Sequence, residues 1–309
     1  MRTLLGAVAV LALAGTSAAT AADMPLKAPA APVIEFSWTG FYVGLNAGGF
    51  WGWGHEGFWI DDSPGMRYFT FGAGQAANIA QVMSVGNVGV KNSGFTGGAQ
   101  IGYNYQAGPW VLGWEADLNW FNPSATSTRN SFLPVPAFAL PGPVPVPFTI
   151  TDSTSGDWLS TFRIRGGYHP FTSNNLMIYG TAGFAIANVN LTSSYADGTT
   201  CPPQISCALR ANVNTTQTAT GFAGGAGFEW MFARNWSFKA EYLFVSVKGS
   251  DVAVTALPTG GTIPTSCPVV VGNPGFCSIF HYRPEFIENI VRVGVNYHFD
   301  WAGPVVARY

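Results

Sequence analysis

The stretch from Ile290 to Phe299 alternates without a fault. Val291, Val293, Val295, Tyr297 and Phe299 fall on one side, and Arg292, Gly294, Asn296 and His298 fall on the other. A side-chain period of two belongs to a β-strand. The apolar side ends in two aromatics, as a strand does where its outer face leaves lipid. Seven further segments of the same kind lie upstream. The full set spans about 39–53, 93–107, 109–121, 156–169, 175–190, 216–232, 234–249 and 286–299.

The spacing between these segments carries the topology. Gaps two, four and six are only a few residues long, around Gly108, around Thr172-Ser173-Asn174 and at Ala233. Gaps one, three, five and seven run from roughly 25 to 40 residues. An up-and-down barrel in a bacterial outer membrane has short periplasmic turns and long extracellular loops. A β-sandwich has no reason to alternate its connections so strictly. The fold class expected is therefore all-β: an eight-stranded antiparallel up-and-down transmembrane β-barrel with four long extracellular loops and both termini periplasmic.

Composition agrees with this. Only 10% of the 309 residues are charged, against about 25% in an ordinary soluble chain. Beyond the first two dozen residues there is no run of the roughly 18 apolar residues that a transmembrane helix needs. Residues 1–22 read as a signal peptide: Arg2, an apolar core from Leu4 to Ala14, and a small-x-small site at Ala19-Thr20-Ala21. Losing Arg2 with that leader takes the formal charge one unit below its value of −2. Nothing in this balance attracts nucleic acid. Residues 23–37 read as an extended Pro/Ala-rich periplasmic linker, 38–299 as the barrel, and 300–309 as a C-terminal extension.

The aromatics sort by height. Tyr103, Tyr105, Trp110, Tyr168, Trp230, Phe232, Trp236, Phe238, Tyr297 and Phe299 fall at the short-turn ends of the strands. Trp51, Trp53, Phe95, Trp120, Phe121, Trp158, Phe222 and Phe244 fall toward the other ends. Two such girdles mark two membrane interfaces. The fifth segment leaves its outer face open, because Met177 and Tyr179 compete with Leu176 and Ile178.

The positions that alternation turns inward hold four acids and four bases: Glu115, Asp117, Glu229 and Glu241 with Arg163, Arg165, Lys239 and Arg292. Eight strands enclose just enough room for side chains to fill. A balanced set of charges in that space must pair, since an unpaired one is costly. Two roles fit the set: a salt-bridged plug, or the lining of a narrow ion path.

The long connections supply other candidates. Cys201 and Cys207 lie in the third, and Cys267 and Cys277 in the fourth. Export permits disulfides. Local pairs 201–207 and 267–277 or cross-links between the two connections are both open. Residues 132–148 are dense in proline and apolar side chains, which suits either a contact site or a segment collapsed over the barrel mouth. His55 with Glu56, Asp61 and Asp62 can be drawn as a metal or acid–base cluster, and His55 or His281 as a haem ligand. The cysteine spacings match no zinc pattern. No Ser/His/Asp arrangement is present, so the reading is that of a non-enzyme with neither cofactor nor metal. Gly221-Phe222-Ala223-Gly224-Gly225-Ala226-Gly227 lacks the helix that a nucleotide loop requires.

The segment Phe36-Ser37-Trp38-Thr39-Gly40-Phe41-Tyr42-Val43-Gly44-Leu45-Asn46-Ala47-Gly48-Gly49 resembles the first strand of small alphaproteobacterial outer-membrane proteins of the opacity-type or OmpA-like barrel superfamily. The Ala-Asp-x-Pro start and the closing Val291-to-Tyr297 strand are similar too. The resemblance covers the strands and none of the loops. It implies an eight-stranded barrel in the outer membrane with a role in envelope integrity and loop-mediated surface contact. Porin-like and haem-binding roles are the alternatives it carries. The partners it implies are outer-membrane lipid and lipopolysaccharide, the barrel-assembly machinery, and peptidoglycan or a host surface. One departure concerns assembly, which reads a terminal aromatic. The chain runs ten residues past Phe299, so Tyr297 and Phe299 act as an internal signal or Tyr309 supplies it. Oligomeric state does not follow from the sequence.

Overall fold

The computed structural model describes residues 36–61, 75–135, 145–170, 175–198, 200–201, 205–206, 208–258 and 278–299. Its elements are β1 (Gly40–Asp61), α1 (Gln75–Gly86), β2 (Val90–Ala107), β3 (Trp110–Phe121), β4 (Ser124–Leu133), β5 (Val146–Ser155), β6 (Trp158–Tyr168), β7 (Leu176–Asp197), β8 (Thr200–Cys201), β9 (Ile205–Ser206), β10 (Leu209–Ala233), β11 (Trp236–Lys248), β12 (Val252–Pro258) and β13 (Ser278–His298). Eight of these pair in sequence, β1 with β2, then β3, β6, β7, β10, β11 and β13, and β13 pairs back to β1. Every step is antiparallel. Short turns join β2 to β3 and β10 to β11; at the first, Gly108 takes φ 58, a left-handed value that favours glycine.

In this lower part the outer surface is apolar. Leu45, Ile101, Leu112, Leu118, Ile164, Phe184, Val291 and Val293 are all exposed. The band ends at Trp110, Tyr168 and Trp236 below and at Trp51, Phe95, Trp120 and Phe222 above. On β7 the open question resolves: Met177 and Tyr179 are buried inside while Ile178 is 54% exposed. One girdle assignment is corrected. Phe121 is buried and packs at a tilt against Phe50 inside the barrel, ring centroids 4.6 Å apart. It lies one residue beyond Trp120, so the period of two turns it inward.

The long connections are not loose loops over these residues, and this is the main departure from the sequence reading. β1, β7, β10 and β13 continue well past the apolar band. β7 pairs with β6 as far as Ala187 and then with β5 from Asn190 to Asp197. β13 pairs with β11 as far as Glu285 and with β12 from Tyr282 onward. β4 pairs with β5. A second storey thus stands on the first, and its polarity is reversed. Phe58, Leu133, Phe148, Ile150, Leu191, Tyr195, Phe280 and Tyr282 form an apolar core inside it, while Thr, Ser and Asn face outward.

Among the described residues no strand hydrogen-bonds the outer edge of β4, and helix α1 packs between β4 and β1. Side-chain amides replace the missing ladder. Asn87 accepts from Phe58 N (2.9 Å) and donates to Phe58 O (2.6 Å). Asn78 exchanges a reciprocal pair with Val135 at 2.8 and 3.0 Å. Helix formers such as Ala76, Ala77, Ala80, Gln81 and Met83 favour the helix, and fully buried Val82 is its anchor in the upper core. Val82→Ala removes two methyl groups there. At roughly 0.8 kcal/mol per buried methylene plus the cavity left behind, it should cost about 2 kcal/mol locally. Limited proteolysis checks this: the variant should be cut between 75 and 90 while the lower barrel keeps its heat-dependent gel mobility.

Candidate functional site

The eight charged residues that alternation turned inward all lie in the lumen of the lower storey, and the structure joins them in one network. Arg163, fully buried on β6, reaches three carboxylates. Its Nη2 lies 2.6 Å from Glu115 and 2.8 Å from Asp117, and its Nη1 lies 2.9 Å from Glu241. Arg292 on β13 closes the other side, 2.7 Å from Glu241 and 2.8 Å from Asp117. Lys239 on β11 donates to both Glu115 oxygens at 2.7 and 2.8 Å. Arg165 donates to Glu229 at 2.7 Å and lies over the Tyr179 ring at 4.1 Å. Register explains the meetings. Glu115 pairs with Arg163 across β3–β6, and Glu241 pairs with Arg292 across β11–β13.

Four acids thus face four bases with no formal charge left over. Each is at most 4% exposed. Charges taken so far out of water are tolerated only when geometry and hydrogen bonds are both good. The neighbours supply those bonds. Tyr42 OH donates to Glu115 at 2.8 Å and accepts from Arg165 at 2.8 Å. Ser237, Asn296 and His298 surround Glu229 Oε1 at 2.5, 2.6 and 3.2 Å. Tyr179 OH donates to Glu241 at 3.1 Å. Alternation places Asn296 and His298 on the same side of the last strand as Arg292, but the sequence assigns none of these supporting residues to the network. The signal for Tyr42 was present, because Phe41, Val43 and Leu45 face out and leave Tyr42 inside.

Apolar layers close the network from both ends. Below it, Trp38, Val111, Met177 and Met231 cluster at the short-turn mouth, with Phe36 packed against them. Trp38 N is tied to Gln106 Oε1 at 2.9 Å, so the segment entering β1 itself covers that mouth. Above it, Phe50, Phe121, Leu159, Leu243 and Ile290 form a second apolar layer. Glu288 sits against this layer. It accepts 2.7 Å from Asn92, and no cation pairs with it among the described residues.

The remaining candidates are dispersed. His169 bonds the Gly108 carbonyl at 2.8 Å near the short-turn rim. His281 is held by Asp251 at 2.8 Å and stacks on Trp59 at 4.8 Å. Tyr297 and Phe299 meet edge-on at 5.2 Å on the lower outer surface. Among the described residues, no group of three or more His, Cys, Asp or Glu has the disposition of a metal site. The side chains of His55, Glu56 and Cys201 fall outside the described residues, as do Asp62, Cys207, Cys267, Cys277, residues 136–144, the leader, most of the linker and the extension with Tyr309. At the flanks of the proline-rich stretch, Leu133 and Phe148 are buried in the upper core.

Residues 8–263 match the family model described as an outer membrane protein beta-barrel domain. The 31 kDa outer-membrane immunogenic protein of Brucella melitensis is 31% identical over 295 residues, covering 94% of this chain and 97% of the relative. A 22 kDa outer membrane protein of Rhizobium leguminosarum is 26% identical over 160 residues, 51% of this chain and 55% of the relative. Among solved structures, the outer membrane protein OprG from Pseudomonas aeruginosa matches with a TM-score of 0.37 at 12% identity, covering 86% of this chain and all of that one.

Proposed function

This chain belongs to the outer membrane protein β-barrel domain family, and from that premise we propose that it is a sealed barrel that works through the surface it raises outside the lipid. The outer membrane is its location. Both chain ends are assigned to the periplasmic side, where the short turns lie, and the upper storey to the outside. The observation that carries the reading is the lumen. Three successive levels of buried side chains fill it: the Trp38 cap, the paired charges and the Phe50–Phe121 layer. An eight-stranded barrel packed in this way is a pillar rather than a pore.

The mechanism is structural. The paired charges tie β3, β6, β10, β11 and β13 together across the lumen, and the rigid wall that results supports the upper storey. Tyr297 and Phe299 are assigned the recognition by the assembly machinery. Lipid and lipopolysaccharide surround the barrel. The name of the Brucella relatives, outer-membrane immunogenic protein, fits a protein whose exposed storey meets other molecules.

Conductance tests the seal. Refolded protein in a planar bilayer should stay electrically silent at neutral pH and moderate salt, with folding verified in the same preparation by heat-dependent gel mobility. Reproducible unit steps that change when Arg163 or Glu115 is neutralised would instead make the lumen a narrow ion path.

A further inference from the structure

The outer wall of the upper storey is chemically divided. On one side four neighbouring strands, β4, β5, β7 and β10, run in continuous register. Thr126, Ser153, Thr192 and Asn214 form one row across them. The row below, from Ser124 to Thr216, and the row above, from Thr128 to Asn212, repeat the same chemistry. Every outward position in the three rows is Ser, Thr or Asn, and none is buried. Strands lie ~4.8 Å apart and alternate residues ~6.7 Å apart along a strand. The rows therefore make a grid more than a nanometre on each side. The opposite wall carries charge: Lys248 with Glu285 at 3.0 Å, and exposed Lys91 and Arg283.

Strand preference accounts for threonine at single positions. It does not account for the exclusion of every charge and every large apolar side chain from the three rows, which draw on four separate strands. Neighbouring hydroxyls partly bond one another, as Thr126 with Ser153 at 3.0 Å and Thr128 with Thr151 at 3.2 Å. Each hydroxyl offers one donor and two acceptor sites, so bonding capacity remains on the surface. Within the three rows there is none of the aromatic and arginine anchors that concentrate protein-binding energy and no cation to hold phosphate. Exposed Arg210 and Phe132 lie above the rows, and Asp157 bonds Asn190 at 3.2 Å at their lower edge. Uncharged hydroxyls and amides match an uncharged polyhydroxyl ligand. The grid starts just above Trp120 and Trp158, where the apolar band ends, so it faces the layer immediately outside the lipid.

We propose that this wall docks the uncharged saccharide of the outer-leaflet glycolipid. The proposal rests on the assignment of the upper storey to the outside of the membrane, and it holds whether or not the lumen conducts. The probe is lipid-free, dephosphorylated saccharide released from lipopolysaccharide by mild acid. It is titrated to millimolar concentration into refolded protein in detergent, with backbone amide NMR as the readout. Shifts should appear on β4, β5, β7 and β10. The triple variant Thr126→Val, Thr151→Val, Thr192→Val keeps shape and strand preference, and should bind at least tenfold more weakly. Lys248→Ala should bind as the parent does. The proposal is overturned if folded protein shows no shift, if the shifts centre on Lys91, Lys248 and Arg283, or if the triple variant binds like the parent.

Discussion

Arg163→Met should cost the folded barrel about 3–5 kcal/mol, the range for removing one partner from a buried ionic network. Methionine fills much of the same space, so the loss is mainly electrical. Arg163 contacts Glu115, Asp117 and Glu241 at 2.6–2.9 Å, and all are buried. Without it, the four carboxylates of the network face three cations. Urea unfolding of the refolded protein, followed by tryptophan fluorescence, measures the cost. Adding Glu115→Gln removes one acid and restores neutrality. The double variant should be more stable than the sum of the single losses implies, with a coupling of about 1–3 kcal/mol. The salt concentration should matter little, because buried pairs are weakly screened. Additive losses would mean that the two side chains do not act on each other.

Gly183→Val should be comparably severe, at least about 3 kcal/mol, for a steric reason. Gly183 faces inward opposite Arg163 on β6. A Cβ there would overlap the Phe162 carbonyl oxygen and come within 2.6 Å of Arg163 Cα. Backbone cannot move aside as a flexible side chain can, so the β6–β7 pairing must give way. Overpacking usually costs about 1–3 kcal/mol, and a clash with a paired strand belongs at or beyond the top of that range. Gly166 is the internal control. It lies in the same strand pair but faces out, with nothing within 4 Å of its Cβ position. Gly166→Ala should refold like the parent. The yield of heat-modifiable protein after refolding separates the two outcomes.

The barrel was legible in the sequence because side-chain direction in a strand depends only on parity. Parity alone put Glu115, Arg163 and Arg292 on the inner side, and the structure places them there. It also gives Phe121 its inward direction, which the girdle reading overlooked by grouping aromatics by height alone. The upper storey was hidden for a different reason. A lipid-facing strand is recognised by apolar residues facing out, and above the lipid the sign reverses. On β7, Phe184 and Ile186 face outward, but the outward residues Asn190, Thr192 and Ser194 are polar while Leu191 and Tyr195 turn in. Parity is unbroken across the change, so the strand continues where the lipid pattern stops. Helix α1 was missed because its role is set by a partner distant in sequence. Asn78 and Val82 matter only because β4 leaves an open edge beside β1. The pairing of individual charges was equally illegible, since it depends on cross-strand register.

Solvent access to the lumen charges tests the sealed-barrel account most directly. The Nε–H groups of Arg163 and Arg292 donate to Thr161 at 2.9 Å and to Glu241 at 2.8 Å, inside a layer closed above and below. Their hydrogen exchange can be followed by NMR in protein with labelled arginine, after transfer of the folded barrel into D2O. The account expects both signals to persist for hours while the exposed Arg283 signal vanishes at once. Loss of the Arg163 and Arg292 signals together with that of Arg283, from protein that is still folded, would show water passing through the lumen and would contradict the seal.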